Sequence, residues 1–91
     1  MSRVIWTVAA EKRRDEALAY IANDNVHAAL RQLEEIQRQV RRLREQPNMG
    51  RPGKVRGARE LVIRHTPFIV VYRVFTDTVQ IVRFLHSAQN R

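Results

Sequence analysis

Three histidines and an excess of arginine are the side chains with which this sequence could do chemistry. His27, His65 and His86 stand at no HxxxH spacing and cysteine is absent. The chain therefore has no thiol nucleophile, no disulfide framework and no ligand set for a metal, and neither a metal nor a cofactor is expected. A carboxylate pair, Asp15 and Glu16, falls on the polar side of a helical pattern among basic residues, which describes a solvated face rather than a general acid and base. Seventeen Lys and Arg against nine Asp and Glu leave a formal charge of +8. Arg38, Arg41, Arg42, Arg44, Arg51, Lys54, Arg56 and Arg59 lie between Gln37 and Arg59 with only Glu45 to oppose them, so +7 of that charge sits in one stretch. Such a patch attracts nucleic acid, an anionic surface or an acidic protein.

Two sets of residues follow from that distribution. Lys54, Arg56, Arg59, Arg73 and Arg83 combine a basic loop with arginines on β-rich runs and form a candidate target-binding set. Ion pairs with Glu60 or Asp77 would account for the strand arginines equally well. Arg38, Arg41, Arg42 and Arg44 crowd one helical stretch, where like charges cost about 0.2–0.5 kcal/mol per pair unless an acidic partner covers them. Together with the apolar Ile21 and Leu33 they form a second candidate surface, for a protein partner.

The elements that must position these residues are legible from periodicity. Arg3 to Thr7 is rich in β-formers, and the single tryptophan, Trp6, is expected in the core. Ala10, Ala17, Leu18 and Ile21 make the apolar stripe of a helix from about 9 to 22. Asn23-Asp-Asn25 breaks it and caps a second, longer helix from Val26 to about Glu45, whose stripe is Val26, Ala29, Leu33, Ile36, Val40 and Leu43. Two prolines and two glycines within Gln46–Gly53 end that helix in a loop running to about Gly57. Arg59–Arg64, Phe68–Phe75 and Thr78–His86 then read as three strands of an antiparallel meander, with Pro67 at a strand start. The reading is one α+β domain over 1–91, ordered β-α-α-β-β-β, an N-terminal helical hairpin packed on an antiparallel sheet. At 91 residues and 44% hydrophobic content one modest core is all the chain can build. The longest apolar run, Phe68–Tyr72, is far short of the roughly 20 residues that span a bilayer. Met1–Trp6 has no export signal, so a cytoplasmic location is expected.

Asn48-Met-Gly-Arg-Pro-Gly53, Gly57-Ala-Arg-Glu-Leu-Val-Ile63, Phe68-Ile-Val-Val-Tyr-Arg-Val74 and Val79-Gln-Ile-Val-Arg-Phe-Leu-His86, in this order behind a helical hairpin, resemble the RelE/ParE superfamily of bacterial toxins from type II toxin-antitoxin systems. The resemblance covers nearly the whole chain. It implies a toxin neutralised by a cognate, acidic and partly disordered antitoxin, with operator DNA contacted only through that antitoxin. It leaves two targets. RelE-like members cut mRNA on the ribosome, whereas ParE-like members poison DNA gyrase.

Cleavage of the RelE kind needs a base for the ribose 2′-hydroxyl, cations for the developing charge and a donor for the leaving oxygen. In the nuclease members an arginine directly follows the aromatic that corresponds to Phe68; here that position is Ile69. Positions that carry basic residues in some of them correspond to Glu60 and Val62, and a glutamate of another subgroup corresponds to Gly53. His86 matches a histidine of one nuclease subgroup, but Ser87 follows it where that subgroup has tyrosine, and a Leu85-His86 ending occurs in ParE-like members too. The ParE-like reading, with no catalytic residues, therefore leads. A nuclease built on Arg59, Arg73, Arg83 and His86, or an inert paralogue that still binds an antitoxin, stands as the alternative.

Overall fold

In the computed structural model, which describes residues 1–89, the chain runs β1 (Arg3–Trp6), α1 (Val8–Asp24), α2 (Val26–Arg41), β2 (Arg51–Pro52), β3 (Arg59–Val62), β4 (Phe68–Val74) and β5 (Thr78–His86). The helix starts are chemical. Thr7 Oγ1 accepts the Ala10 N–H at 3.1 Å and opens α1. Asn25 closes α1 through its own N–H to the Ile21 carbonyl (2.9 Å) and opens α2 by accepting the Ala28 N–H at 3.0 Å. One extended residue thus satisfies orphan groups of both helices. A 3-10 turn, Arg42–Arg44, extends α2 and buries Leu43.

The helices cover one face of a five-stranded sheet of order β1-β5-β4-β3-β2. The expected meander is present as β3, β4 and β5, and Pro67 precedes the first residue of β4. Two features differ from the sequence reading. The pairing of β1 with β5 is parallel, so the sheet is mixed rather than antiparallel. A two-residue strand, β2, forms in the loop after α2 and pairs with β3. The first strand joins in parallel because α1 and α2 carry the chain back across the sheet, a crossover that a hairpin turn cannot supply.

The core lies between helices and sheet. Ile36, Leu43, Ile63, Val70, Tyr72, Val79 and Ile81 are fully buried, Phe68 and Phe84 stack with centroids 4.8 Å apart, and Trp6 packs half-buried beside Phe84. The stripe of α2 is buried only from Ala29 onward; Val26, read as its first member, is 58% exposed at the turn between the helices. Gln39, also on α2, is buried. Its amide donates to the Arg64 carbonyl and accepts the Arg64 N–H, both at 2.8 Å, clamping the helix to the turn between β3 and β4.

One irregularity decides which way the last strand faces. Val71 pairs with Arg83 while its neighbour Tyr72 pairs with Ile81, so Val82 is the extra residue of a bulge. Val79, Ile81 and then Phe84 point at the helices. Gln80, Arg83 and Leu85 point to the opposite, outer face, whereas strict alternation would have put Arg83 beside Ile81.

Candidate functional site

The loop after α2 is held from below by Tyr72. Its hydroxyl donates to the Pro47 carbonyl (2.7 Å) and accepts the Gly50 N–H (2.9 Å), and burial pushes the phenol's pKa up. Gly50 is required by close approach: a Cβ there would lie 2.6 Å from Tyr72 Oη and 2.7 Å from the Glu60 carbonyl oxygen. The Arg59 guanidinium donates to the Gly50 carbonyl at 2.8 Å and reaches the Asn48 carbonyl at 3.4 Å. Arg51 pairs with the buried Glu60 carboxylate at 3.0 Å. Two of the basic residues in the charged stretch therefore hold the loop itself.

Past this pin the loop folds on the Gly53 N–H to the Ala58 carbonyl (2.8 Å) and the Ala58 N–H to the Val55 carbonyl (3.1 Å). Gly57 takes a positive φ of 82° with the Arg73 side chain against it, a conformation that glycine adopts without strain. Arg73 also approaches the Arg56 carbonyl at 3.4 Å. Lys54 and Arg56 are exposed at the tip. Of the five residues read as target-binding, Lys54, Arg56 and Arg73 thus share one corner, Arg83 lies on the strand next to that of Arg73, diagonal to it on the outer face, and Arg59 turns inward to the loop carbonyls.

The outer face of the sheet is ordered in rows across the strands. Glu60, Val71 and Arg83 form one row, and Val62, Ile69 and Leu85 form the next. Ile69, between Val62 and Leu85 in its row, is only 3% exposed. His86 lies on the other side of the sheet. It packs edge-on against Phe68, with ring centroids 6.0 Å apart, beside Arg13, Glu16 and Ala17 of α1. The set Arg59, Arg73, Arg83 and His86 is consequently not one constellation: Arg73 and Arg83 point outward, His86 toward α1 and Arg59 into the loop. Among the described residues no cluster of three or more histidines or carboxylates could hold a metal ion.

The helical set divides as well. Arg38 pairs with Glu35, which holds that carboxyl below its ordinary pKa, and with Arg42 it borders a hollow shared with Arg64 and His65. Arg41 and Arg44 instead line a groove with Arg3, Val4, Trp6, Gln37 and Val40. Ile21 and Leu33 are half-buried against the core; the large apolar side chains that the hairpin exposes are Val8, Tyr20, Val26 and Leu30. Arg3 and Trp6 were not singled out as site residues from the sequence. The available signal was a short first strand ending in a tryptophan, with arginine at its start. Among the described residues no helix is long and apolar enough to cross a membrane.

Comparison with known proteins agrees with this architecture. Residues 4–91 match the model of the ParE toxin of type II toxin-antitoxin system, parDE. Y4kP of Sinorhizobium fredii, a protein named as a candidate toxin, is 41% identical over 87 residues, covering 96% of this chain and 90% of its own length. A solved structure described as the chromosomal ParDE TA system from P. aeruginosa superposes with a TM-score of 0.81 at 29% identity, covering 94% of this chain and 96% of the other. With the same helical hairpin on the same kind of sheet and a match over almost its full length, the chain belongs to the ParE toxin family of type II toxin-antitoxin systems.

Proposed function

We propose that this ParE-family chain arrests growth by binding DNA gyrase without catalysing a reaction, and that a cognate acidic, partly disordered antitoxin holds it inactive in the cytoplasm. The observation that carries this reading is the row Val62, Ile69, Leu85 on the open face of the sheet, with Ile69 only 3% exposed. A nuclease acting on this face needs its cations and a general base grouped together there. The row supplies neither; the arginines of the face, Arg73 and Arg83, lie outside the row, and His86 is on the opposite side of the sheet from both. What the face and its loop offer instead is exposed positive charge on a rigid base, at Lys54, Arg56 and Arg83, suited to docking an anionic surface. Operator DNA is reached through the antitoxin, whose carboxylates neutralise the toxin's charge.

Inducing the chain alone in cells tests the reading. DNA-damage signalling and filamentation with intact mRNA are expected. Fragmented mRNA at ribosomal A-site codons would instead favour the RelE-like nuclease, and normal growth with neither effect would favour an inert antitoxin-binding paralogue.

A further inference from the structure

The side of α2 turned away from the core carries arginines in line. Arg31 and Arg38 on the helix and Arg42 at its C-cap fall within about 40° of one another, spaced about 10 Å and 6 Å along the axis, and all three are exposed. Arg64 and His65, in the turn between β3 and β4, stand alongside. His65 lines both the hollow shared by Arg38, Arg42 and Arg64 and the next one along the helix, which Arg31 borders. That turn is held firmly. The Gln39 amide clamps the Arg64 backbone to α2, and Thr66 Oγ1 donates to the Ile63 carbonyl at 2.9 Å and accepts the Phe68 N–H at 3.1 Å. His65 itself takes a left-handed φ of 68°, where glycine would sit without strain. Strained residues of this kind gather at binding sites.

The hollow at Arg38 and Arg42 is lined by those two, Gln39, Arg64 and His65, with no acid and no apolar side chain among them. Glu35, on the same side of the helix, is taken up by Arg38 at 2.7 Å. Among the described residues Arg31, Arg42 and Arg64 make no ion pair. A protein partner needs an apolar centre to bury, which this lining does not offer. A phosphate needs only cations and donors, and guanidinium forks suit it best. A single strand held by stacking needs a run of aromatic faces, whereas His65 is the one ring lining the two hollows. A duplex presents one charge per about 1.7 Å of its axis, so a straight line of arginines meets phosphates in any register and reads no sequence.

We propose that Arg31, Arg38, Arg42, Arg64 and His65 form a binding site for the sugar-phosphate backbone of duplex DNA. The choice of DNA rests on the reading of the chain as a toxin directed at gyrase, an enzyme that works on a duplex. The helices and the outer face lie on opposite sides of the sheet, so α2 holds DNA while the loop and the outer face stay free for the enzyme. Contact is through backbone charge alone and is independent of base sequence.

Fluorescence anisotropy of a short labelled DNA duplex with the full chain, over a range of salt concentrations, tests it. Arg31→Gln with Arg42→Gln and Arg64→Gln should weaken binding by at least about tenfold and flatten the plot of log Kobs against log salt by about 2–3. All three side chains are exposed and the Gln39 clamp uses only the Arg64 backbone, so the fold should hold, as circular dichroism will show. If the triple variant does not fold, the single substitutions decide, each expected to cost about two- to threefold. Lys54→Gln with Arg56→Gln and Arg83→Gln removes the same charge from the other side of the sheet and should weaken binding by less than about threefold. Equal losses from the two triple variants, or no loss from the first, overturn the site, since the charge then acts only as a diffuse field. Duplex RNA bound about tenfold more tightly than DNA would assign the face to RNA and overturn it as well. Supercoiling by purified gyrase, assayed alongside, reads the proposed function separately. A chain that inhibits the enzyme while its DNA affinity ignores the first variant loses this site and keeps the gyrase reading. One that binds DNA through these arginines and leaves the enzyme untouched keeps the site and loses that reading.

Discussion

Arg59 and Arg41 carry the same guanidinium and belong to the same charged stretch, yet the molecule uses them in opposite ways. Arg59 and its neighbour Arg51 are taken up within the loop and β2, by the Gly50 carbonyl and by the buried Glu60 carboxylate. Arg41 and Arg44, at the end of α2, line a groove beside the edge strand β1. The difference lies in what each region lacks. A loop with two prolines and two glycines makes few backbone bonds of its own, so side chains must satisfy its carbonyls. A helix bonds its own carbonyls, and arginines on its surface remain available to a partner. Positive charge counted along a sequence is therefore not the same quantity as positive charge offered to a target.

The strongest way to break this comparison is at the exposed end of the loop. Lys54→Glu with Arg56→Glu takes the net charge from +8 to about +4 and places repulsion at the proposed target edge. Growth inhibition should fall by more than about tenfold on induction, while antitoxin binding, measured by titration, changes little. Lost antitoxin binding with full toxicity would mean that the inhibitory and neutralised faces have been exchanged.

A second test acts on the pin. Gly50→Ala forces a methyl to within 2.6 Å of Tyr72 Oη and 2.7 Å of a backbone oxygen, and such overpacking costs about 2–3 kcal/mol. Denaturant melts should show that loss, and the loop should move enough to reduce toxicity. Unchanged stability would mean that the loop is not held as described.

Tyr72→Phe removes the same pin more gently. It strands the Gly50 N–H and the Pro47 carbonyl for a cost of about 1–3 kcal/mol. The pH dependence gives an independent check. The folded phenol's pKa lies above its ordinary 10.0 because burial disfavours the phenolate. Its contribution to stability is whole below that ordinary value and is lost as pH rises toward the raised one. Wild-type stability should therefore fall above about pH 10, and the Tyr72→Phe protein should lack that component.

The smallest expected effect is at His86. Because it packs against Phe68 on the helix side, away from Arg73 and Arg83, His86→Gln should leave toxicity within about twofold and mRNA intact. A folded, antitoxin-binding His86→Gln protein that has lost toxicity together with detectable mRNA cleavage would reinstate the nuclease.

Much of the fold was legible in residue order, because its signals are local. The stripe Ala29, Leu33, Ile36, Val40 repeats at helical spacing, Asn25 has the side chain that caps a helix, and the Pro/Gly loop cannot continue one. The three meander strands are separated by turn-sized connections. The motifs that carry the resemblance are contiguous, so the family too could be read without coordinates. Tertiary structure decided the directions. The bulge at Val82 turns Arg83 away from Ile81, and that depends on how β5 registers against Tyr72. The parallel seat of β1 depends on a pairing between residues at opposite ends of the chain. Arg59 meets Gly50 only after β2 and β3 have paired. A strand's side-chain face flips with a one-residue change of register, so whether an arginine serves a partner or the chain's own backbone was settled by long-range pairing.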